Sequence, residues 1–144
     1  MIELGVPTKG ILSKVFAERG QQVEADELLA LLDNELEEAN LRLAELKANN
    51  KSDIELARVE YEYLQHLVQQ QKLLLSKNVL SEEAYAEFER RLNLAQGTLD
   101  KAVEENSLNR LEFERAKILL KRREVRSPIS GVIVKRHFEP GEFV

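Results

Sequence analysis

The side chains able to do chemistry in this chain are few and far apart. There are two histidines, His66 and His137, and no cysteine. Without cysteine there is no disulfide, thiolate metal site or cysteine nucleophile. His66 follows Glu62 by four residues, a helical turn, a spacing at which an imidazole and a carboxylate could share a metal. The pair reads more simply as two solvated neighbours. His137 stands two residues before Glu139 on a turn and makes no better case. No catalytic, cofactor-binding or metal-binding residue is assigned. Glu35, Glu37 and Glu38, like Lys121, Arg122 and Arg123, read first as helix-end charges.

Composition narrows the classes further. Of 144 residues, 33% are charged and 43% hydrophobic but only 6% aromatic, a balance that suits long solvated helices better than a thick core. The net charge is −5 with both signs interspersed, which argues against nucleic acid and mildly against anionic lipid as partners. An RNA-binding helical arm would want net positive charge. No run of about 18 apolar residues exists to span a bilayer. The opening Met1-Ile2-Glu3-Leu4 lacks the basic-then-apolar signature of a signal peptide.

The most informative pattern is a repeat at an offset of 121 residues. Pro7-Thr8-Lys9-Gly10-Ile11-Leu12 matches Pro128-Ile129-Ser130-Gly131-Val132-Ile133. The match continues in register, Lys14 with Lys135, Gly20 with Gly141 and Val23 with Val144. Each copy has the physics of a β-hairpin unit. A proline sits at a strand edge where the missing N–H is tolerated. Gly10 and Gly131 permit a bend or close approach, and Gly20 and Gly141 supply turns. After Val23, Leu28, Leu29, Leu31 and Leu32 continue the first copy's strands. One copy cannot close a core, whereas two facing each other form a small β-sandwich. The second copy stops at Val144, where the first still has a strand to go, so the chain is expected to be a piece cut inside a domain.

Between the copies, residues 34–125 hold no proline and one glycine, Gly97, which should weaken its helix by about 1 kcal/mol relative to Ala. Asp33 or Asn34 caps a first helix expected to run to Ser76. Its apolar seam reads Leu36, Ala39, Leu43, Leu46, Asn50, Ile54, Ala57, Tyr61, Leu64, Val68, Gln71, Leu75, with one four-four step at Asn50 that should alter the supercoil. Asn78 is a left-handed cap and Ser81 the N-cap of a second helix. That helix's seam reads Tyr85, Phe88, Leu92, Ala95, Leu99, Ala102, Asn106, Asn109, Phe113, Ala116, Leu120. Folded about residues 78–79, Leu64 meets Leu92, Leu43 meets Phe113 and Asn50 meets Asn106. A buried Asn pair would fix the hairpin register. Each arm would be roughly 65 Å long.

The expected architecture is α+β: a long antiparallel two-helix coiled-coil hairpin (34–125, tip about 76–81) inserted between two lipoyl/biotinyl-like half-motifs (1–33 and 126–144) of a small β-sandwich. A bare two-helix rod offers no pocket for catalysis. It suits spanning and tip contact, and Leu73, Leu75, Val79 and Leu80, expected to be exposed at the tip, exceed what one seam needs.

This plan resembles the HlyD-type periplasmic adaptor (membrane fusion protein) family. The likeness is carried by Gly10-Ile11-Leu12 through Gly20-Gln21-Gln22-Val23, and by Arg126-Ser127-Pro128-Ile129-Ser130-Gly131-Val132-Ile133 through Pro140-Gly141-Glu142-Phe143-Val144. Ser127 replaces the family's usual Ala, and Asp26 stands where a second Gly is common. The resemblance implies an adaptor of efflux or type I secretion. Such an adaptor links an inner-membrane transporter to an outer-membrane TolC-type channel, sits in the periplasm anchored at the inner membrane, and assembles as a ring, commonly hexameric. The family's tip pattern, Arg-x3-Leu-x6-Ser, falls on Gln70, Leu74 and Ser81, with Gln in place of Arg. Gln70, Leu74 and Ser81 are the channel-docking residues the resemblance implies, and the apolar patch adds Leu73 and Leu80, with Lys77 between them, to the expected docking tip. The lipoyl likeness also raises a carrier function, but the hairpin that would present a modifiable lysine is replaced by the helices, so no lipoyl or biotinyl cofactor is expected. The alternative from another class is a coiled-coil arm for self-assembly alone.

Overall fold

A computed structural model describes residues 3–144; Met1, the only methionine, and Ile2, with which the reading of the chain's start began, lie outside the described residues. The elements in order are β1 (Leu12–Val15), β2 (Gln22–Val23), β3 (Leu28–Leu32), α1 (Glu35–Asn49), α2 (Ser52–Ser76), α3 (Glu82–Lys121), β4 (Glu124–Arg126) and β5 (Gly131–Val132). They form two compact units, one of the residues up to Ala44 with Phe113–Val144, the other of Glu45–Glu112.

In the first unit, β1, β3 and β4 make a three-stranded antiparallel sheet in the order β1-β3-β4, and β2 pairs antiparallel with β5. The repeat explains this pairing. Gln22 pairs with Val132, and Ile11 bridges Phe143; adding the offset to one member and subtracting it from the other turns the first pair into the second. The hydrogen bonds obey the same exchange. The Gly20 N–H donates to Ile133 O at 2.7 Å, and the Gly141 N–H to Leu12 O at 2.7 Å. The Glu18 N–H donates to Gln21 Oε1, and the Glu139 N–H to Glu142 Oε2, both at 2.9 Å. The half-motifs therefore fold onto each other about a local two-fold, each supplying the partner the other lacks.

The core of this unit is Leu12, Ala30, Leu32 and Val125, with Val6, Val15 and Val144 against it. Burying each larger aliphatic side chain is worth about 1.5–3 kcal/mol. Val125 enters this core because α3 ends at Lys121 and Glu124–Arg126 turns into β4. The expected helix through Val125 is thus too long by four residues. Alternation of partly and fully buried side chains fits Glu124-Val125-Arg126 to a strand edge.

Helices α1 and α3 show where the sequence reading held and where it slipped. Every residue of the expected α3 seam, Tyr85 through Leu120, is buried or half-buried. So are Ile54, Ala57, Tyr61, Leu64, Val68, Gln71 and Leu75 on α2. On α1 the expected seam is wrong: Leu36, Ala39, Leu43 and Leu46 are exposed, and Glu37, Leu41, Ala44 and Ala48 point inward instead. The first arm is also not one helix to Ser76 but is interrupted at Asn50-Lys51.

Candidate functional site

The tip is a turn closed at both ends by local hydrogen bonds. Asn78 adopts the left-handed conformation at φ 57°, as a residue just past a helix C-terminus does. The Val79 N–H then donates to Leu74 O at 3.0 Å and the Asn78 N–H to Leu75 O at 3.1 Å, the paired bonds of a Schellman ending. Ser76 Oγ donates to Leu73 O at 2.7 Å. Across the turn, Ser81 Oγ accepts the Ala84 N–H at 3.1 Å, an N-cap. Glu82 and Glu83 in the first turn of α3 complement its dipole.

Around these caps several apolar side chains face outward. Leu73 is 63% exposed and Val79 71%. Leu74 and Lys77 are also exposed and Leu80 is half-buried. Gln70 is exposed on α2, two turns before the cap. The structure thus places five of the six expected tip residues, Leu73, Leu74, Lys77, Leu80 and Ser81, within one turn region, with Gln70 just before it. Beside them, burial and then the Glu89 carboxylate raise the Tyr85 phenol above its usual pKa. Arg90 grips Glu87 through Nε and Nη2, at 3.0 and 2.8 Å, and holds that carboxyl below the usual range.

The four turn glycines have three different surroundings. Gly20 at φ 87° and Gly141 at φ 93° need the left-handed region. Gly131 has open space around it, whereas a Cβ on Gly10 would meet Arg123 Nη1 at 2.7 Å. Asp26 is left-handed at φ 68°, so the turn survives where a second glycine is common. Ser127 is buried in the β-unit, and its hydroxyl donates to Ile129 O, which lets a polar residue occupy an alanine's place.

Arg123 does more than complement a helix dipole. Rather than serving only as a helix-end charge, its guanidinium donates through Nη2 to Glu37 and through Nη1 to Lys9 O at 3.2 Å. Both partners of the ion pair are largely shielded from solvent. The signal was present in the close-approach glycine, Gly10, but its partner lay 113 residues away and only folding identified it.

The histidines stay apart from any constellation. His66 is exposed on α2 and His137 exposed in the turn after β5. Glu139 is held by Arg136 Nη2, at 2.6 and 2.7 Å, rather than by His137. Among the described residues no cluster of three or more His, Cys, Asp or Glu is placed to hold a metal ion. Among the described residues no helix is long and apolar enough to cross a membrane.

A split β-unit whose halves exchange strands, interrupted by a capped helical hairpin, is the barrel-sandwich hybrid plan. The family model described as CzcB-like, barrel-sandwich hybrid domain matches residues 2–144, and the chain belongs to that family. This bears out the HlyD-type adaptor resemblance carried by the glycine motifs. Among solved structures, MacA from Actinobacillus actinomycetemcomitans superposes on the whole chain with a TM-score of 0.92 at 21% identity. A MacA–MexA chimeric protein containing the Pseudomonas aeruginosa MexA α-hairpin domain matches 99% of the chain with a TM-score of 0.51 at 22% identity. At such identities the likeness is one of fold. The chain spans 45% and 42% of those two proteins. No curated protein matches the sequence.

Proposed function

We propose that this chain is the hairpin-bearing part of a non-enzymatic periplasmic adaptor that joins an inner-membrane transporter to an outer-membrane TolC-type channel in efflux or secretion. The observation that carries the reading is the tip: a turn capped on both sides by local hydrogen bonds, presenting Leu73, Leu74 and Val79 to solvent. Exposed aliphatic side chains on a short turn leave apolar area in water that the hairpin itself does not cover. They suit burial against the helical end of another protein. Ser81 is committed to its cap, so Leu73, Leu74 and Leu80 are the apolar contacts, with Lys77 and Gln70 as polar flanks. Gln70 offers a neutral hydrogen bond where relatives of this pattern carry Arg.

A second reading has its own observation. Within the Glu45–Glu112 unit, Leu46 on α1 and Leu56, Val59 and Tyr63 on α2 face solvent. A second apolar stripe suits side-by-side packing of copies, as a ring of six would require, and also suits a self-assembly arm with no channel. Photocrosslinking from positions 73, 77 and 80 of the full-length protein in cells separates the two. The adaptor reading expects adducts with an outer-membrane channel from these tip positions and, with the crosslinker moved to positions 46 and 56, adducts between copies. Tip adducts to other copies alone would replace it with the self-assembly arm.

A further inference from the structure

We propose that the interruption at Asn50-Lys51 is a built joint, held shut by Asn106, and the first part of the hairpin to open. It stands apart from the question of what the tip contacts. The first observation is a residue count. On α3 the inward residues Leu99, Ala102, Asn106 and Asn109 keep regular three-four spacing. On the first arm, inward Ala48 and Tyr61 are separated by thirteen residues, one short of two heptads. Outward Leu46 and Val59 show the same deficit. Both faces lose one residue at the same place, so the whole sequence pattern is written for a break there. A continuous helix would turn everything past Lys51 by about 100° away from α3.

The second observation is how the broken ends are satisfied. In an unbroken helix Ala48 O would accept the Ser52 N–H, and Asn50 O the Ile54 N–H. Here the Ser52 N–H turns to Asn50 Oδ1 at 3.0 Å. Asn106 Nδ2 donates to two of the vacated carbonyls, Ala48 O at 3.0 Å and Asn50 O at 3.4 Å. Lys51 bridges the ends at φ −111°, ψ 10°. Asn106 is 8% exposed, one of the few buried polar side chains, and it satisfies the backbone of the opposite arm rather than the Asn50 side chain expected to pair with it. A small polar cleft of ≈ 90 Å³, lined by Lys47, Asp53, Glu105 and Asn109 among others, lies against the break. The Asn106 carboxamide, with that of Asn50, thus bridges a gap in the helical ladder beside a solvent-reaching cleft. Local opening starts where few backbone bonds must break.

Hydrogen exchange on the intact chain tests this, with Asn106→Ala compared with wild type. The joint expects exchange at residues 48–55 to rise about tenfold more than at 90–100, the factor that loss of one or two hydrogen bonds implies. A uniform change, or none at 48–55, overturns it. A second variant guards against simple loss of folding: one Ala inserted between Asn50 and Lys51, combined with Asn106→Leu. This insertion restores the heptad and should raise helical circular dichroism and slow exchange at the former break. The same insertion between Val59 and Glu60 should destabilise. Equal loss of stability from the two insertions would sink the proposal.

Discussion

Gly10 and Arg123 show how a single missing atom places a charge. Because Gly10 has no Cβ, the Arg123 guanidinium can lie against the backbone and reach Lys9 O while it pairs with Glu37. Gly10→Ala should cost about 1–2 kcal/mol by displacing these bonds. In an Arg123→Ala background the same change should cost little. Urea denaturation of the four-member cycle measures this coupling, and additivity would contradict the geometry. The two turn glycines make a complementary case. Gly20→Ala and Gly141→Ala should each cost about 1–2 kcal/mol, since a Cβ is strained at their positive φ. Gly131→Ala, with open space and no such φ, should stay within about 0.5 kcal/mol. Equal effects at all four positions would mean that the repeat's glycines share a role that the backbone does not assign them.

At the scale of elements, helix ends and helix faces decide the hairpin. Ser81→Ala removes the acceptor of the Ala84 N–H and should cost about 1 kcal/mol. Asn78→Gly should be neutral or stabilising by a few tenths of a kcal/mol, because glycine enters the left-handed region more readily. Both are read by thermal melts. The corrected α1 face makes a sharper comparison. Leu46→Gln, at an exposed position, should leave dilute-solution stability within about 0.5 kcal/mol. Ala48→Leu, at an inward one, should lose about 1–3 kcal/mol through overpacking. The reverse ranking would restore the seam first expected.

For the molecule as a whole, the division into two compact units predicts how it comes apart. Leu32 is the most completely buried side chain, in the small core of the β-unit. Leu32→Ala should cost about 2–5 kcal/mol there. Hydrogen exchange should then speed at β1, β3 and β4, while α2 and the 82–112 part of α3 keep most of their protection. Loss of protection everywhere at once would show one cooperative unit instead of two.

Much of the architecture was legible in the chain itself because its signals are local or repeated. Proline and glycine at a fixed offset announced two half-motifs. The local two-fold that joins them uses the same hydrogen bonds twice, so one copy specifies the other. The long three-four seam of α3, the left-handed Asn78 and the Ser81 cap needed only helix geometry and backbone sterics. What folding alone decided was phase and partnership. The leucines of α1 outnumber its alanines in hydrophobicity, so periodicity chose Leu36, Leu43 and Leu46 for the inside. The inward face of α1 instead holds Leu41 with the small Ala44 and Ala48, and the first arm runs one residue short beyond them. That deficit is invisible until the opposite helix supplies a ruler. Arg123 finding Glu37 beside Gly10, and Asn106 finding the carbonyls of a broken helix, are likewise contacts between residues distant in sequence, set by packing and beyond the reach of any local pattern.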